Sequence, residues 1–144
     1  MTIAERQAEI VEEFGLFDDW MDKYEHIIEL GKELPLIAPE HKDDEHRIRG
    51  CQSQVWLHAE PERERVRFTA DSDAVITKGL ISLMVRVLDG QPARDIAQAE
   101  LDFIGEIGLH DHLSPTRSNG LRSMVKQMKL YGLALAAQQA RDDE

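Results

Sequence analysis

The spacing of apolar residues changes twice along this chain, and that change is what most limits its fold. Trp20, Tyr24 and Ile27 recur at steps of three and four residues, as on one face of a helix. Between residues 55 and 70 the step falls to two, which is typical of strands with one face in water. Helical spacing returns after residue 75. The order of helices, strands and helices predicts an α+β fold.

Residues suited to helix capping predict where the helices begin. Thr2 and Glu5 have the spacing of a capping box, so we expect a first helix to about Phe14. A second helix is expected from Asp18 or Asp19.

The second half of the chain has similar start and stop signals. Asp71-Ser72-Asp73 is suited to cap a third helix, which we expect to end at Gly90-Gln91-Pro92. Shorter helical pieces should cover residues 93–107. Ser114 followed by Pro115 predicts the start of the last helix.

The middle of the chain predicts a small antiparallel sheet of about three strands, with helices packed on one side. Alternating apolar residues mark two strands, at 55–59 and 66–70. The polar stretch 60–64 is the expected hairpin connection between them. We place the third strand before Cys51.

Composition and charge narrow the class of protein. The 144 residues, 42% of them hydrophobic, predict a single domain over residues 1–144. A net charge of −11 argues against nucleic acid or an anionic membrane as the main partner, because phosphates are bound by clustered Lys and Arg. No stretch approaches the roughly 20 apolar residues of a membrane span, and the N-terminus lacks a signal core. We expect a cytoplasmic protein, either a monomer or a homodimer.

Cys51 is the one cysteine, so the fold cannot depend on an internal disulfide. A lone cysteine is ordinarily a small buried hydrophobe. Here it lies between Gly50, which permits a tight turn, and the polar residues 52–54, at a position expected to connect two strands. Arg47 and Arg49 share its strand face and would favour the thiolate. These neighbours favour a displayed, reactive thiol.

Residues 50–56, Gly-Cys-Gln-Ser-Gln-Val-Trp, resemble the signature of the SufE family, in which the cysteine carries a persulfide. Further segments are similar to other motifs of that family, in the same order. The resemblance runs from about residue 14 to about residue 132. The additional segments are Ile27-Ile28-Glu29-Leu30-Gly31, Asp71-Ser72-Asp73-Ala74 with Lys78-Gly79-Leu80, and His112 to Leu121.

The resemblance implies an α+β fold shared with IscU-type scaffold proteins. It also implies that Cys51 accepts sulfur from a cysteine desulfurase of the SufS or CsdA type and passes it to a SufBCD-type scaffold. Pyridoxal phosphate would belong to the desulfurase, so this chain would hold no cofactor and no metal. Gly50, Gln52, Asp73 and Arg117 would support the cysteine loop or the partner contact. We expect the thiol to be shielded until the partner docks, since an open persulfide would lose its sulfur to other thiols.

Several of these motif residues also have plainer interpretations. Asp73 is suited to cap a helix, and Arg117 to form a hydrogen bond within a turn. Gly79, inside a predicted helix, indicates close packing against a neighbouring element. The SufE and CsdE branches of the family share the signature, so the sequence leaves the physiological desulfurase open.

Three other functions use the same residues. A thiol hydrolase or peroxidase built on Cys51 would need a base such as His58 or His112 beside the sulfur. A cluster scaffold would need several thiolate ligands, which one cysteine cannot supply. Zinc held by His41, His46 and Cys51 would need a fourth ligand from the distant His110 or His112, and the set lacks the short paired spacings of structural zinc sites.

Overall fold

The computed structural model describes residues 1–51 and 53–142. Within these ranges the chain forms a single compact α+β domain, as predicted. Along the chain, two helices come first and a two-stranded hairpin follows. The central helix, a short third strand and four further helices complete the order. The elements are α1 (Ile3–Phe14), α2 (Trp20–Gly31), a 3₁₀ turn (Pro39–His41), β1 (Val55–Glu62), β2 (Arg65–Ser72), α3 (Val75–Leu88), β3 (Gln91–Pro92), α4 (Ala93–Ala97), α5 (Phe103–Glu106), α6 (Leu109–His112) and α7 (Pro115–Asp142).

The first two helices begin where their capping residues predict. The Thr2 hydroxyl accepts from the Glu5 N–H at 3.1 Å, and the Glu5 carboxylate accepts from the Thr2 N–H at 3.0 Å. This pair is the predicted capping box. The Asp19 carboxylate accepts from the Asp22 N–H at 2.9 Å and caps α2. Both contacts satisfy backbone N–H groups that a helix leaves free at its start.

The predicted cap of α3 at Asp71-Ser72-Asp73 is wrong. Strand β2 extends through Ser72, and the residue before α3 is Ala74, which offers no side-chain cap. The Asp73 carboxylate instead accepts from the Gln54 N–H at 3.0 Å. The Asp73 carboxylate, which the local sequence predicted to cap α3, is therefore used in a long-range hydrogen bond to Gln54.

The sheet has three antiparallel strands in the order β1-β2-β3. Pairing of β1 with β2 runs from Val55–Ser72 to Glu62–Arg65. Only Arg63 and Glu64 remain for the turn, and Arg63 takes a left-handed φ of 59°. The predicted connection over 60–64 was thus too long, because the backbone of its first three residues continues the ladder despite their exposed side chains.

The third strand is not where the sequence placed it. It is the pair Gln91–Pro92, which follows α3 and joins β2. The segment before Cys51 forms one bridge between Arg47 and Trp56, supported by the Ile48 N–H donating to the Val55 carbonyl at 2.8 Å. A longer strand does not form there, because the chain turns at Gly50, whose φ is 90°.

Helix α3 lies at the centre of the molecule, with ten of its fourteen residues buried. It packs closely on α2, since a Cβ at Gly79 would collide with the Ile27 carbonyl. This contact confirms the predicted reason for glycine there. On the opposite face of β1, Trp56 and His58 are covered by Lys42 and His41 from the preceding loop. Among the described residues, no helix is both long enough and apolar enough to cross a bilayer.

Candidate functional site

Cys51 lies on the loop that leads into β1, and its sulfur packs against α7. The thiol donates to the Gly120 carbonyl at 3.6 Å, and the residue is half-buried. A Cβ at Gly120 would lie 3.2 Å from the sulfur, which is tight. The missing side chain at Gly120 therefore lets the sulfur approach the helix, and the expected shielding of Cys51 is partial.

Gly50 is required both by backbone conformation and by space. Its φ of 90° lies in the left-handed region, which favours glycine. A Cβ there would also lie 2.9 Å from the Ser123 hydroxyl of α7. The turn before Cys51 is thus shaped by α7, the same helix against which the Cys51 sulfur packs.

A cavity of about 40 Å³ opens beside Cys51 between the loop, α3 and α7. A single water needs roughly 10–15 Å³ by the same kind of measure, so the space suits a small group rather than a metabolite. Its walls are mostly apolar, with hydroxyls and a guanidinium among the lining side chains. The lining residues are Cys51, Ser53, Val55, Thr77, Leu80, Ile81, Thr116, Arg117, Gly120, Leu121 and Met124.

Burial raises the pKa of the Cys51 thiol, because the apolar surroundings disfavour the thiolate. The expectation that Arg47 and Arg49 favour the thiolate is wrong, since both side chains are exposed and burial is the cause of the shift. The resting thiol is therefore protonated at neutral pH.

Asp73 ties the end of β2 to the exit of the cysteine loop. Its carboxylate accepts from the Gln54 N–H, and its own N–H donates to the Gln54 carbonyl at 3.2 Å. Gln54 is three residues after Cys51. Asp73 thus contacts the end of the cysteine loop, while its predicted role toward a partner stays a prediction.

Arg117 lies in the first turn of α7 and lines the cavity beside Cys51. The backbone N–H of Arg117 donates to the Ser114 hydroxyl at 3.2 Å, and this bond confirms Ser114 as a residue suited to begin the helix. Gln52, the remaining residue predicted to support the site, is outside the described residues. Gly120 and Ser123 were not predicted as site residues, although Gly120 belongs to the quoted motif that ends at Leu121.

The histidines proposed as bases pack elsewhere. His58 stacks on His41, with ring centroids 3.9 Å apart, and its Nδ1 lies 3.1 Å from Nε2 of His46. His112 stacks on Trp20 at 4.1 Å. Neither His58 nor His112 is among the residues that line the Cys51 cavity. A hydrolase using either base is therefore unsupported.

The structure does not support the zinc hypothesis either. His41 and His46 do lie together, but they pack with His58, whereas the Cys51 sulfur packs on Gly120. Over residues 1–51 and 53–142, no group of three His, Cys, Asp or Glu side chains is arranged to hold a metal ion.

Known proteins were compared with this chain in sequence and in structure. The family model described as "SufE: Fe-S metabolism associated domain" matches residues 8–132. A SufE-like protein of Rhizobium etli is 43% identical over 126 residues, which cover 84% of this chain and 85% of the relative. SufE-like protein 1, chloroplastic/mitochondrial, of Arabidopsis thaliana is 40% identical over 135 residues, covering 93% of this chain and 36% of that longer protein.

A solved structure supports the fold. The solution structure of a hypothetical protein from Thermus thermophilus matches with a TM-score of 0.77, covering 92% of this chain and 96% of that one. At 19% identity this likeness bears on the fold alone. The sequence matches carry the family assignment, and they confirm the predicted resemblance. This chain belongs to the SufE family, and through it to iron–sulfur metabolism.

Proposed function

We propose that this protein is a sulfur acceptor for iron–sulfur cluster assembly, with Cys51 as the residue that carries the sulfur. One observation carries the proposal. In a chain of the SufE family, the one cysteine places its sulfur beside a small, mostly apolar cavity that is lined by residues of α3 and α7. Such a cavity has room for an added sulfur atom and keeps bulky thiols away.

The transfer step is a thiol exchange at a sulfane sulfur. The Cys51 thiolate attacks the outer sulfur of a cysteine persulfide on the donor. A bond forms between Cys51 Sγ and that sulfur, while the bond between the donor's Sγ and the same sulfur breaks. The donor cysteine leaves as a thiolate and takes up a proton. No external oxidant or reductant is needed, because the sulfane sulfur passes on at the same oxidation level.

The resting site is poorly suited to react without its partner. Burial raises the pKa of the thiol, and the sulfur packs against the carbonyl of Gly120. We propose that docking of the donor draws the loop away from α7. This movement would expose the sulfur to solvent and lower its pKa, so that reactivity depends on the partner.

We further propose the partners that family membership suggests. The donor is a pyridoxal-phosphate cysteine desulfurase of the SufS or CsdA type, and the recipient is a SufBCD-type scaffold. The cofactor stays in the desulfurase, so this chain acts as a carrier and activator rather than as an enzyme. We propose a cytoplasmic location for it.

Intact-mass measurement tests the central claim. The protein is incubated with a purified SufS-type desulfurase and L-cysteine, without reductant. Wild type should gain the mass of one or more sulfur atoms on Cys51 and should accelerate alanine release. Cys51→Ser, which is nearly isosteric but cannot form a persulfide, should show neither effect and should retain the circular dichroism spectrum of wild type. A sulfur adduct or full stimulation in Cys51→Ser would reject Cys51 as the acceptor.

A further inference from the structure

Helix α7 differs in charge from the rest of the molecule. It contains five of the 17 Lys and Arg residues and only one of the 28 Asp and Glu residues. The whole chain has a net charge of −11, so the other elements are more acidic still. A cationic helix on an acidic molecule marks a place where an acidic partner is attracted.

Three of these cations form a stripe on one face of the helix. Arg122, Lys126 and Lys129 follow at steps of four and three residues, which places them side by side. Lys129 is about two and a half turns from Gly120, so the stripe lies on the opposite side of α7 from the Cys51 contact. In the part of the chain that the structure describes, none of the three forms an ion pair.

The stripe borders an open groove with an apolar floor, between α7 and the segment of residues 97–104. Two cavities of about 200 and 380 Å³ form this groove. Leu101, Ile104 and Val125 line it. Leu130 and Leu133 continue the apolar surface along α7, and they are 45% and 58% exposed. Exposed apolar surface rimmed by charge is typical of a binding site.

We propose that this surface, the α7 groove, docks an acidic amphipathic helix of a partner protein. The apolar side chains of such a helix would pack on the floor, and its carboxylates would face Arg122, Lys126 and Lys129. Because the groove and the Cys51 loop lie on opposite sides of α7, the partner would bind while Cys51 remains available. The proposal does not depend on the chemistry of Cys51.

Other anionic partners fit the groove less well. Nucleic acid and anionic membranes would gain from the three cations, but their phosphates gain nothing from an apolar floor. A second copy of this chain fits less well, because its acid-rich α1 already buries Ile10 and Phe14 in its own core.

The test uses a synthetic peptide of about 18 residues with Glu on one helical face and Leu on the other, labelled for fluorescence anisotropy. Wild type should bind it, with affinity falling as salt rises. Lys126→Glu/Lys129→Glu should weaken binding roughly tenfold or more, because two attractions become repulsions. The control Lys32→Glu/Arg141→Glu changes the net charge equally at cations outside the groove and should bind like wild type.

A second pair of measurements separates docking from general charge and from the Cys51 site. Leu130→Ser/Leu133→Ser should weaken binding even at high salt, and every variant should keep wild-type sulfur loading of Cys51 and wild-type melting temperature. The proposal is overturned if the peptide does not bind wild type, or if the control loses as much affinity as the groove variant. Equal binding of a single-stranded oligonucleotide or of phosphatidylserine vesicles, or a dimer that Lys126→Glu/Lys129→Glu dissociates, would also overturn it.

Discussion

Cys51 packs against Gly120, and the missing side chain of the glycine makes this contact possible. The sulfur is near the Gly120 carbonyl, and a Cβ at that position would lie 3.2 Å from Sγ and 3.5 Å from the Cα of Cys51. The space available to the thiol is therefore controlled by a residue far away in sequence. This contact can be altered without touching the cysteine.

Gly120→Ala should increase the reactivity of Cys51 without unfolding the protein. The new methyl group pushes the sulfur away from α7, so alkylation by iodoacetamide should become several-fold faster. The cost of overpacking, about 1–3 kcal/mol, is partly offset by about 1 kcal/mol from replacing a helical glycine. Gly132→Ala is the matched control, since its Cβ would press on Ile96 and Ala93 instead. It should lower stability while leaving the alkylation rate unchanged, and equal rates in both variants would refute this role for Gly120.

At the scale of elements, the site depends on how the sheet and two helices are joined. Strand β2 and the cysteine loop are connected through Asp73 and Gln54, while α7 supplies the surface on which the loop rests. The loop is thus held at both of its ends. Loosening either end should change how readily it moves.

Asp73→Ala and Asp73→Asn should separate a loop contact from a charge effect. Alanine removes the acceptor for the Gln54 N–H and should cost about 0.5–1.5 kcal/mol in urea unfolding, with faster alkylation of Cys51. Asparagine keeps an acceptor oxygen, so stability and alkylation should stay close to wild type. If a higher concentration of this variant than of wild type is nevertheless needed for half-maximal stimulation of the desulfurase, the charge acts on the partner. Wild-type alkylation in the alanine variant would show that the contact does not restrain the loop.

At the scale of the whole molecule, stability should fall as the pH is lowered, in an upper range that begins at about pH 6.5 and a lower range that begins at about pH 3.9. Burial lowers the pKa of His58, and the neighbouring His41 and His46 lower it further, against an opposing effect of Glu60. In the unfolded chain the imidazole of His58 has an ordinary pKa of about 6.5, so it binds a proton more readily there than in the folded protein. The resulting loss of stability is absent well above pH 6.5. It grows as the pH falls below that value and is complete below the folded pKa.

The loss of stability in the lower pH range comes from carboxylates such as Asp71. Burial tends to raise the pKa of Asp71, but hydrogen bonds from Lys42 and Ser72 and the charge of Lys78 outweigh burial and lower it. The stability that Asp71 contributes is present above the unfolded pKa of about 3.9 and is lost as the pH falls through the folded value.

His58→Gln should remove much of the loss in the upper range. Urea unfolding at pH 7.5, 6.5, 5.5 and 5.0 measures this, with His112→Gln as a control from outside the cluster. The control should follow the wild-type curve, while His58→Gln should lose less stability on acidification. Parallel curves for wild type and His58→Gln would mean that the cluster does not govern this range.

Much of the fold follows from patterns within a few residues of one another. The capping box at Thr2, the cap at Asp19 and the start of α7 at Ser114 were predicted because each contact joins residues about three positions apart. The alternation over residues 55–70 likewise identified the hairpin, since side chains on a strand alternate whatever lies beyond it. The family motif around Cys51 predicts the sulfur-carrying residue in the same local way, and that role stays a prediction.

The remaining features depend on contacts between residues far apart in sequence. The third strand follows α3 because Gln91 returns to pair with Val66, and Asp73 leaves its expected cap because the Gln54 N–H lies within reach. The pKa of Cys51 rises rather than falls, because 69 positions later α7 supplies the surface that buries it. Burial and long-range pairing arise only when the chain closes on itself, and no local pattern of residues carries them.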